Sequence, residues 1–426
     1  MTTASGFAPG TALAARLLEE LASATADPPG VTRAAYSEGE RFAHALVRRE
    51  GECLGAEART DAAGNLYLTL PGSDPALPAL VIGSHLDSVP HGGNFDGAAG
   101  VVAGLAVIAN LRAEGLRLPR ALTVLVTRAE EAVWFPLSYP GAEAALGRLP
   151  PSALEARRSD SGRSLAEHMR EEGFDPDAVA RGEGGFAPED IAGFIEVHIE
   201  QGPRLAAAGA SVGVVGGIAG GFRFPQAVCL GAYGHSGAEP RFARRDAVLG
   251  FADLVAALES EWDALERKGL EATITFGRVE SDPAQHGGSR ILGELGFSLD
   301  IRSAEQAVLD RLDTRLAPIL AEIEERRGVR FTLGPRMGWD PAVMAPALIE
   351  RLEASAAALG IPAPRVPSGA GHDAAAFAAA GIPTAMLFVR NENGSHNPHE
   401  SMEVADLDHA VRILSHLVST FDQTRP

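Results

Sequence analysis

Cysteine is nearly absent from this 426-residue chain, and the two thiols present, Cys53 and Cys229, cannot form a disulfide framework for a protein of this length. That usage fits a reducing compartment. Basic residues are also in deficit, 37 Lys and Arg against 56 Asp and Glu, for a formal net charge of −19. Nucleic-acid binding needs clustered cations to neutralise phosphates, so the balance argues against it and leaves a small molecule as the default ligand. No uninterrupted apolar run reaches the roughly 18 residues of a membrane span, and MTTASGFAPG lacks the basic start and apolar stretch of a secretion signal. We therefore expect a cytoplasmic enzyme without a membrane or nucleic-acid partner. Aromatic residues make up 6% of the chain, and no function follows from that figure. The Gly-rich run from Gly213 to Gly221 lacks both Gly-x-Gly-x-x-Gly spacing and a following Lys-Ser or Lys-Thr, which favours a hinge or strand entry over a phosphate loop. No internal repeat or block of like charge is present.

What is present is an alternation of short apolar runs and amphipathic stretches, the pattern of an α/β sheet. Ala79 to Ile82 reads as a buried strand running into Gly83-Ser-His-Leu-Asp87, and Ala121 to Val126 as a second that delivers Glu130 and Glu131 just beyond its end. Phe194 to Ile199 and Thr384 to Val389 repeat the arrangement, the latter leading into a loop with His396. Between them Ala98 to Leu111 has helical spacing and places Asp96 beside a helix N-terminus. Ligands of open α/β sheets bind beyond the carboxyl ends of the strands, so these distant segments converge on one crevice. Between about 211 and 334 the rhythm becomes strand, strand, helix, strand, strand, helix, strand, which predicts an inserted antiparallel α+β domain. The expected division is 1–210 and 335–426 for the catalytic domain and 211–334 for the insertion.

His85, Asp96, Glu131, His198 and His396 are imidazoles and carboxylates, a set suited to Zn, Mn, Co or Ni. Any one of them alone is more readily an ordinary core or surface residue; their joint placement after strand ends reverses that. Two divalent ions bridged by a carboxylate, with Asp96 the natural bridge, would activate water and polarise a carbonyl. Glu130 and Glu131 are adjacent at a strand end and point differently, so one suits a ligand and the other a general base. Asp87, two residues from His85, suits a carboxylate that fixes the imidazole tautomer.

The motifs Gly83-Ser-His-Leu-Asp-Ser-Val89, Gly93-Asn-Phe-Asp-Gly97, Glu130-Glu131, Glu196-Val-His-Ile-Glu-Gln-Gly202, Ser368-Gly-Ala-Gly-His-Asp373 and Gly394-Ser-His-Asn-Pro-His-Glu400 resemble the M20 metallopeptidase clan. More narrowly, the chain is similar to its amidase/hydantoinase-carbamoylase branch, because His198 stands where many peptidase relatives carry a carboxylate. The resemblance implies a mixed-sheet metallo-exopeptidase-like catalytic domain with an inserted ferredoxin-like α+β lid and dimerisation domain, and a homodimer formed through that insertion. It implies one ion on His85, Asp96 and His198, a second on Asp96, Glu131 and His396, and Glu130 as base and later acid. It further implies His235 as an oxyanion donor, Arg302 as a clamp on the substrate carboxylate, Gln201 near the substrate, and His372 and Asp373 as pocket support.

Departures from the family pattern fall where specificity should lie. Ser289 replaces a frequent Asn, His235-Ser-Gly-Ala-Glu-Pro240 departs from a common His-Ala-Gly-Thr-Thr-Pro, and Trp134-Phe-Pro-Leu-Ser-Tyr139 replaces a more usual Arg-Phe. Arg390 reads equally as a second carboxylate clamp or a loop charge. Trp134 and Phe135 are expected at the pocket wall, favouring an apolar side chain on the substrate. The expected activity is hydrolysis of an N-carbamoyl-L-amino acid, with allantoate or an N-acyl amino acid as same-family alternatives. A non-catalytic metal-binding relative would need a broken ligand or base, and none is broken.

Overall fold

The computed structural model describes residues 7–423; residues 1–6, part of the segment inspected above for a secretion signal, lie outside them. The described residues divide into two compact units: one runs up to Gly216 and resumes at Val343, and the other is Gly217–Ala342.

In the first unit, strands Val212–Ile218, Thr384–Val389, Ile191–Ile199, Ala79–His85, Leu122–Thr127, Leu66–Leu70 and Glu57–Thr60 lie side by side in that order. The four from Thr384–Val389 to Leu122–Thr127 are mutually parallel, and antiparallel pairs flank them on both sides. Leu122–Thr127 and Thr384–Val389 are buried along their whole length, which explains their continuous apolar runs: a parallel strand covered on both faces has no polar face to alternate. Helix Ala98–Ala113 is likewise buried on all sides through Leu111 and packs against Pro9–Ala24 and Val404–Thr420. All four parallel strands end on the same side, and the chain just past them carries the candidate ligands.

The second unit is an antiparallel sheet in the order Thr273–Thr275, Glu294–Ser303, Gly220–Leu230, Arg330–Thr332, with helices Ala247–Glu266 and Gln306–Arg327 packed on it. Phe297, Leu299, Leu258 and Leu312 are fully buried in its core. Asp246 caps the first helix by accepting from the N–H groups of Val248 and Leu249.

Both expected boundaries of the insertion shift toward the C-terminus, from 211 to 217 and from 334 to 342. Val212–Val214 hydrogen-bonds to Leu387–Val389 in the large sheet, so the segment after Ser211 belongs to the first unit. Met337–Trp339 pairs with Gly221–Arg223, which keeps the return segment in the second unit as far as Ala342. The strand expected directly after the insertion's first helix is two short strands, Thr273–Thr275 and Val279–Glu280. Among the described residues, no helix is long and apolar enough to cross a membrane.

Candidate metal centre and active site

His85 is the last residue of its strand, His198 the penultimate residue of its own, and Glu130 and Glu131 follow Thr127 by one short turn. Asp96 lies one residue before Gly97, the N-cap of the buried helix. A side chain at position 97 would drive a Cβ to 2.5 Å from the His85 ring, and φ there is +64°, so glycine meets both a steric and a conformational demand.

The two oxygens of Asp96 face different partners. Oδ1 lies 3.4 Å from His85 Nε2 and 3.1 Å from His198 Nε2, whereas Oδ2 lies 3.5 Å from His396 Nε2. Glu131 Oε2 completes the second group at 3.4 Å from His396 Nε2. In their neutral form both histidines of the first group carry the ring proton on Nδ1, because each Nδ1 faces a main-chain carbonyl: Asp87 O at 3.1 Å for His85 and Ile199 O at 2.9 Å for His198. Their Nε2 lone pairs therefore converge 3.4 Å apart beside a carboxylate oxygen, and the Gly97 N–H donates to that of His198. Three acceptors facing one another call for a cation at their centre. Glu131 Oε1 is buried with no hydrogen-bond partner, a second sign that this donor set suits metal ions.

The electrostatics agree. Burial, and then repulsion from neighbouring carboxylates, pushes Glu131 well above the usual carboxylate range; Glu130 is raised the same way, against the opposing pull of His85. Burial would raise Asp96 as well, yet the His198 and His85 imidazoles hold it well below its ordinary value. The cluster demands positive charge, which protons or a cation supply. Glu130 Oε2 stands 3.9 Å from His85 Nε2, beside the first donor group. His396 is half exposed while the other four donors are buried, so the centre opens to solvent on that side.

Left-handed backbone marks the site. Ala129 (φ 57°), Gln201 (φ 61°) and His396 (φ 60°) are non-glycine residues in that region, each at or next to a candidate ligand or base. Gln201, expected near the substrate, donates from Nε2 to Asp96 Oδ2 at 2.7 Å. The carboxylate of Asp87, expected to accept from the His85 ring, lies 3.5 Å from Nδ1, farther than its own main-chain oxygen. Its main work is on the acidic pair, since Oδ1 and Oδ2 accept the N–H groups of Glu130 and Glu131 at 3.1 Å each. His372 is buried edge-on against His198, its Nε2 2.8 Å from Ser368 Oγ, and burial holds it well below the usual histidine value. Asp373 accepts from Thr127 Oγ1 and is raised to about 6 by burial.

Arg390 makes a two-pronged ion pair with Asp406, at 2.8 and 3.0 Å. Trp134 and Phe135, expected at the pocket wall, are instead packed in a hydrophobic cluster with Leu154, Leu165 and Met169. There Trp134 Nε1 donates to Ser88 O at 2.8 Å. The cause is an apolar environment that the following segment 144–179 forms together with Ala34, Ala35, Tyr36 and Ala63 from far earlier in the chain.

His235, Ser289 and Arg302 belong to the second unit. The Gly237 N–H donates to His235 Nδ1 at 3.2 Å, so the neutral ring keeps its proton on Nε2 and the side chain is exposed. The Ser289 carbonyl accepts from the Ser236 N–H at 2.8 Å. Arg302 Nε donates to Asp300 Oδ1 at 2.7 Å, and its guanidinium lies 5.5 Å from the Trp339 ring centre.

Three residues at the site had no role in the sequence reading. Arg33, fully buried, donates from Nε to Leu86 O at 2.6 Å and from Nη1 to Asn94 Oδ1 at 3.0 Å, tying the His85 loop to the Asp96 loop. Glu400 accepts the N–H groups of Phe95 and Asp96 at 2.8 and 3.2 Å, and Ser395 Oγ lies 2.5 Å from both Asp96 Oδ2 and Glu400 Oε2. Ser395 and Glu400 fall inside a motif already singled out; Arg33 left no signal, because nothing in its local pattern distinguishes a buried arginine from an exposed one.

The sequence model of peptidase family M20/M25/M40 matches residues 81–420. An N-carbamoyl-L-amino acid amidohydrolase of Geobacillus stearothermophilus is 34% identical over 391 residues, 91% of this chain and 93% of that protein. An allantoate amidohydrolase of Bacillus subtilis is 32% identical over 397 residues, 91% and 92% of the two chains. A solved hydantoinase/carbamoylase family amidase from Burkholderia multivorans superposes with a TM-score of 0.86 at 28% identity, covering 98% of each chain.

Proposed function

Because this chain belongs to peptidase family M20/M25/M40, we propose that it is a metal-dependent amidohydrolase that cleaves the C–N amide bond of N-carbamoyl-L-amino acids, releasing the amino acid, CO2 and ammonia. The observation that carries the reading is the division of the Asp96 carboxylate between two donor groups, Oδ1 toward His85 and His198 and Oδ2 toward His396. His85, Asp96 and His198 would hold one divalent ion of the Zn, Mn, Co or Ni type, and Asp96, Glu131 and His396 a second. Bound there, such ions lower the pKa of a water and polarise the substrate carbonyl.

The protein's own part in the reaction is proton transfer and orientation. Glu130 takes a proton from the attacking water and hands it on to the departing nitrogen. Asp87 keeps the Glu130 and Glu131 backbone fixed, and Gln201 orients Asp96. His235, whose Nε2 is a donor, and Arg302 are assigned to the oxyanion and the substrate carboxylate on the family likeness. Ser289 stays a candidate substrate contact, with His372 and Asp373 as support. The Asp406 pair favours the loop-charge reading of Arg390. The strand order of the second unit supports a ferredoxin-like insertion, and the same reading carries a cytoplasmic homodimer formed through it.

Relatives named for allantoate keep that substrate, and N-acyl amino acids, as the alternatives within the same chemistry. A panel of N-carbamoyl derivatives of Met, Phe and Leu, N-formyl and N-acetyl amino acids and allantoate, run on metal-reconstituted enzyme, separates them. Faster turnover of allantoate would overturn the carbamoylase assignment, and retained activity in Glu130→Gln would overturn the base.

A further inference from the structure

Just before the acidic pair, at Arg128 and Ala129, the chain joins an ion pair that the chemistry above does not use. Glu40, fully buried in helix Glu38–Cys53, is bonded to Arg128 Nη1 and accepts the Tyr36 N–H at 2.7 Å with the same oxygen, Oε2. Its other oxygen, Oε1, accepts the N–H of Ala129 at 3.2 Å. Arg128 is itself held on every side: Nε donates to Gly64 O at 2.8 Å, its main-chain N–H to Asn65 Oδ1 at 3.0 Å, and its guanidinium lies 4.8 Å from the Phe174 ring centre.

Three consecutive amides, of Ala129, Glu130 and Glu131, are thus gripped by two carboxylates, the first by Glu40 and the next two by Asp87. Ala129 sits at φ 57°, a conformation an alanine does not hold unaided. A left-handed residue here turns the chain sharply after strand Leu122–Thr127, and the direction of that turn aims both glutamates. We propose that Glu40, through Arg128 and the Ala129 N–H, is a positioning residue that sets the geometry of Glu130 and Glu131. Its hydrogen bonds go to Arg128, Tyr36 and Ala129, so its grip on the two glutamates runs through this turn.

The proposal rests on the roles given above to Glu130 and Glu131, and the test separates the two. Glu40→Gln keeps an oxygen for the Ala129 N–H but removes the charge. The double variant Glu40→Leu/Arg128→Met replaces the pair by apolar groups of similar volume, which a fold often tolerates, and removes the acceptor altogether. Wild type and both variants are compared by thermal melting, by Co²⁺ titration followed in visible absorption, and by kinetics on N-carbamoyl-L-methionine. Expected are cooperative melting, a changed Co²⁺ spectrum, and a kcat lowered ~10–100-fold in the double variant and less in Glu40→Gln, with KM little changed. A folded double variant with the wild-type Co²⁺ spectrum and kcat overturns the proposal. So does failure of both variants to fold, since the pair would then serve the fold as a whole. A wild type that binds Co²⁺ but hydrolyses no amide overturns the functional reading instead, and the spectra still decide the role of Glu40.

Discussion

Asp87 holds Glu131 by its backbone, Oδ2 accepting the Glu131 N–H at 3.1 Å while Oδ1 accepts that of Glu130 at the same distance. The carboxylate is fully buried, and two amide donors satisfy it in a way that a neutral amide side chain cannot. Asp87→Asn turns an NH2 donor toward one of the two N–H groups, so the segment must shift. Activity or metal affinity should fall ~10–100-fold without loss of the fold. Kinetics alongside a metal titration measure this, and wild-type values in the variant would refute it.

Metal content should follow the two donor groups. His396 belongs to one group only, so His396→Ala should reduce the bound metal from two ions per chain toward one, whereas Asp96→Ala, which strikes both groups, should remove nearly all. Elemental analysis after dialysis reads the ratio. Equal losses in the two variants would contradict the bridging role of Asp96.

Chelation should destabilise the protein. An ion present at 100 times its dissociation constant adds about 2.7 kcal/mol by mass action, and its removal lowers the melting temperature accordingly. Calorimetry with and without chelator checks this, and a melting temperature indifferent to metal would show that the donor groups hold no ion in the folded protein.

The two thiols should differ in reactivity. Cys53 is exposed, whereas Cys229 is buried in the core of the second unit and its thiol is pushed up to about 12 by burial. A thiol that high is protonated and inert near pH 8. A colorimetric thiol reagent should therefore titrate one group in the native protein and two in denaturant. Two fast-reacting native thiols would contradict the packing around Cys229.

Phe297 is fully buried, with its ring centre 5.2 Å from that of Phe251 and 6.0 Å from that of Phe276. Phe297→Ala should cost ~3–5 kcal/mol in the second unit, read by denaturant unfolding. A much smaller loss would mean that the neighbouring rings close the cavity.

Much of the site was legible because each candidate ligand sits at the end of a strand or the start of a helix, and both leave strong local patterns. His85, Glu130, Glu131, His198 and His396 follow apolar runs that form parallel strands, and Asp96 precedes a helix. The insertion was legible in outline from its change of rhythm. Its ends were not, because strand 212–218 and strand 337–339 each look the same whichever sheet receives them.

The sequence by itself determined most element types, the candidate ligand residues and the family, since periodicity and motif spacing are local properties of the chain. Only the tertiary structure decided what each polar group does once buried. It sent the Asp87 carboxylate to the Glu130 and Glu131 amides, spent Arg390 on Asp406, drew Trp134 and Phe135 into a core, and bonded Glu40 to Arg128 and the Ala129 N–H. The reason is energetic: a buried donor, acceptor or charge must find a partner, and that partner is fixed by which distant segments pack against it.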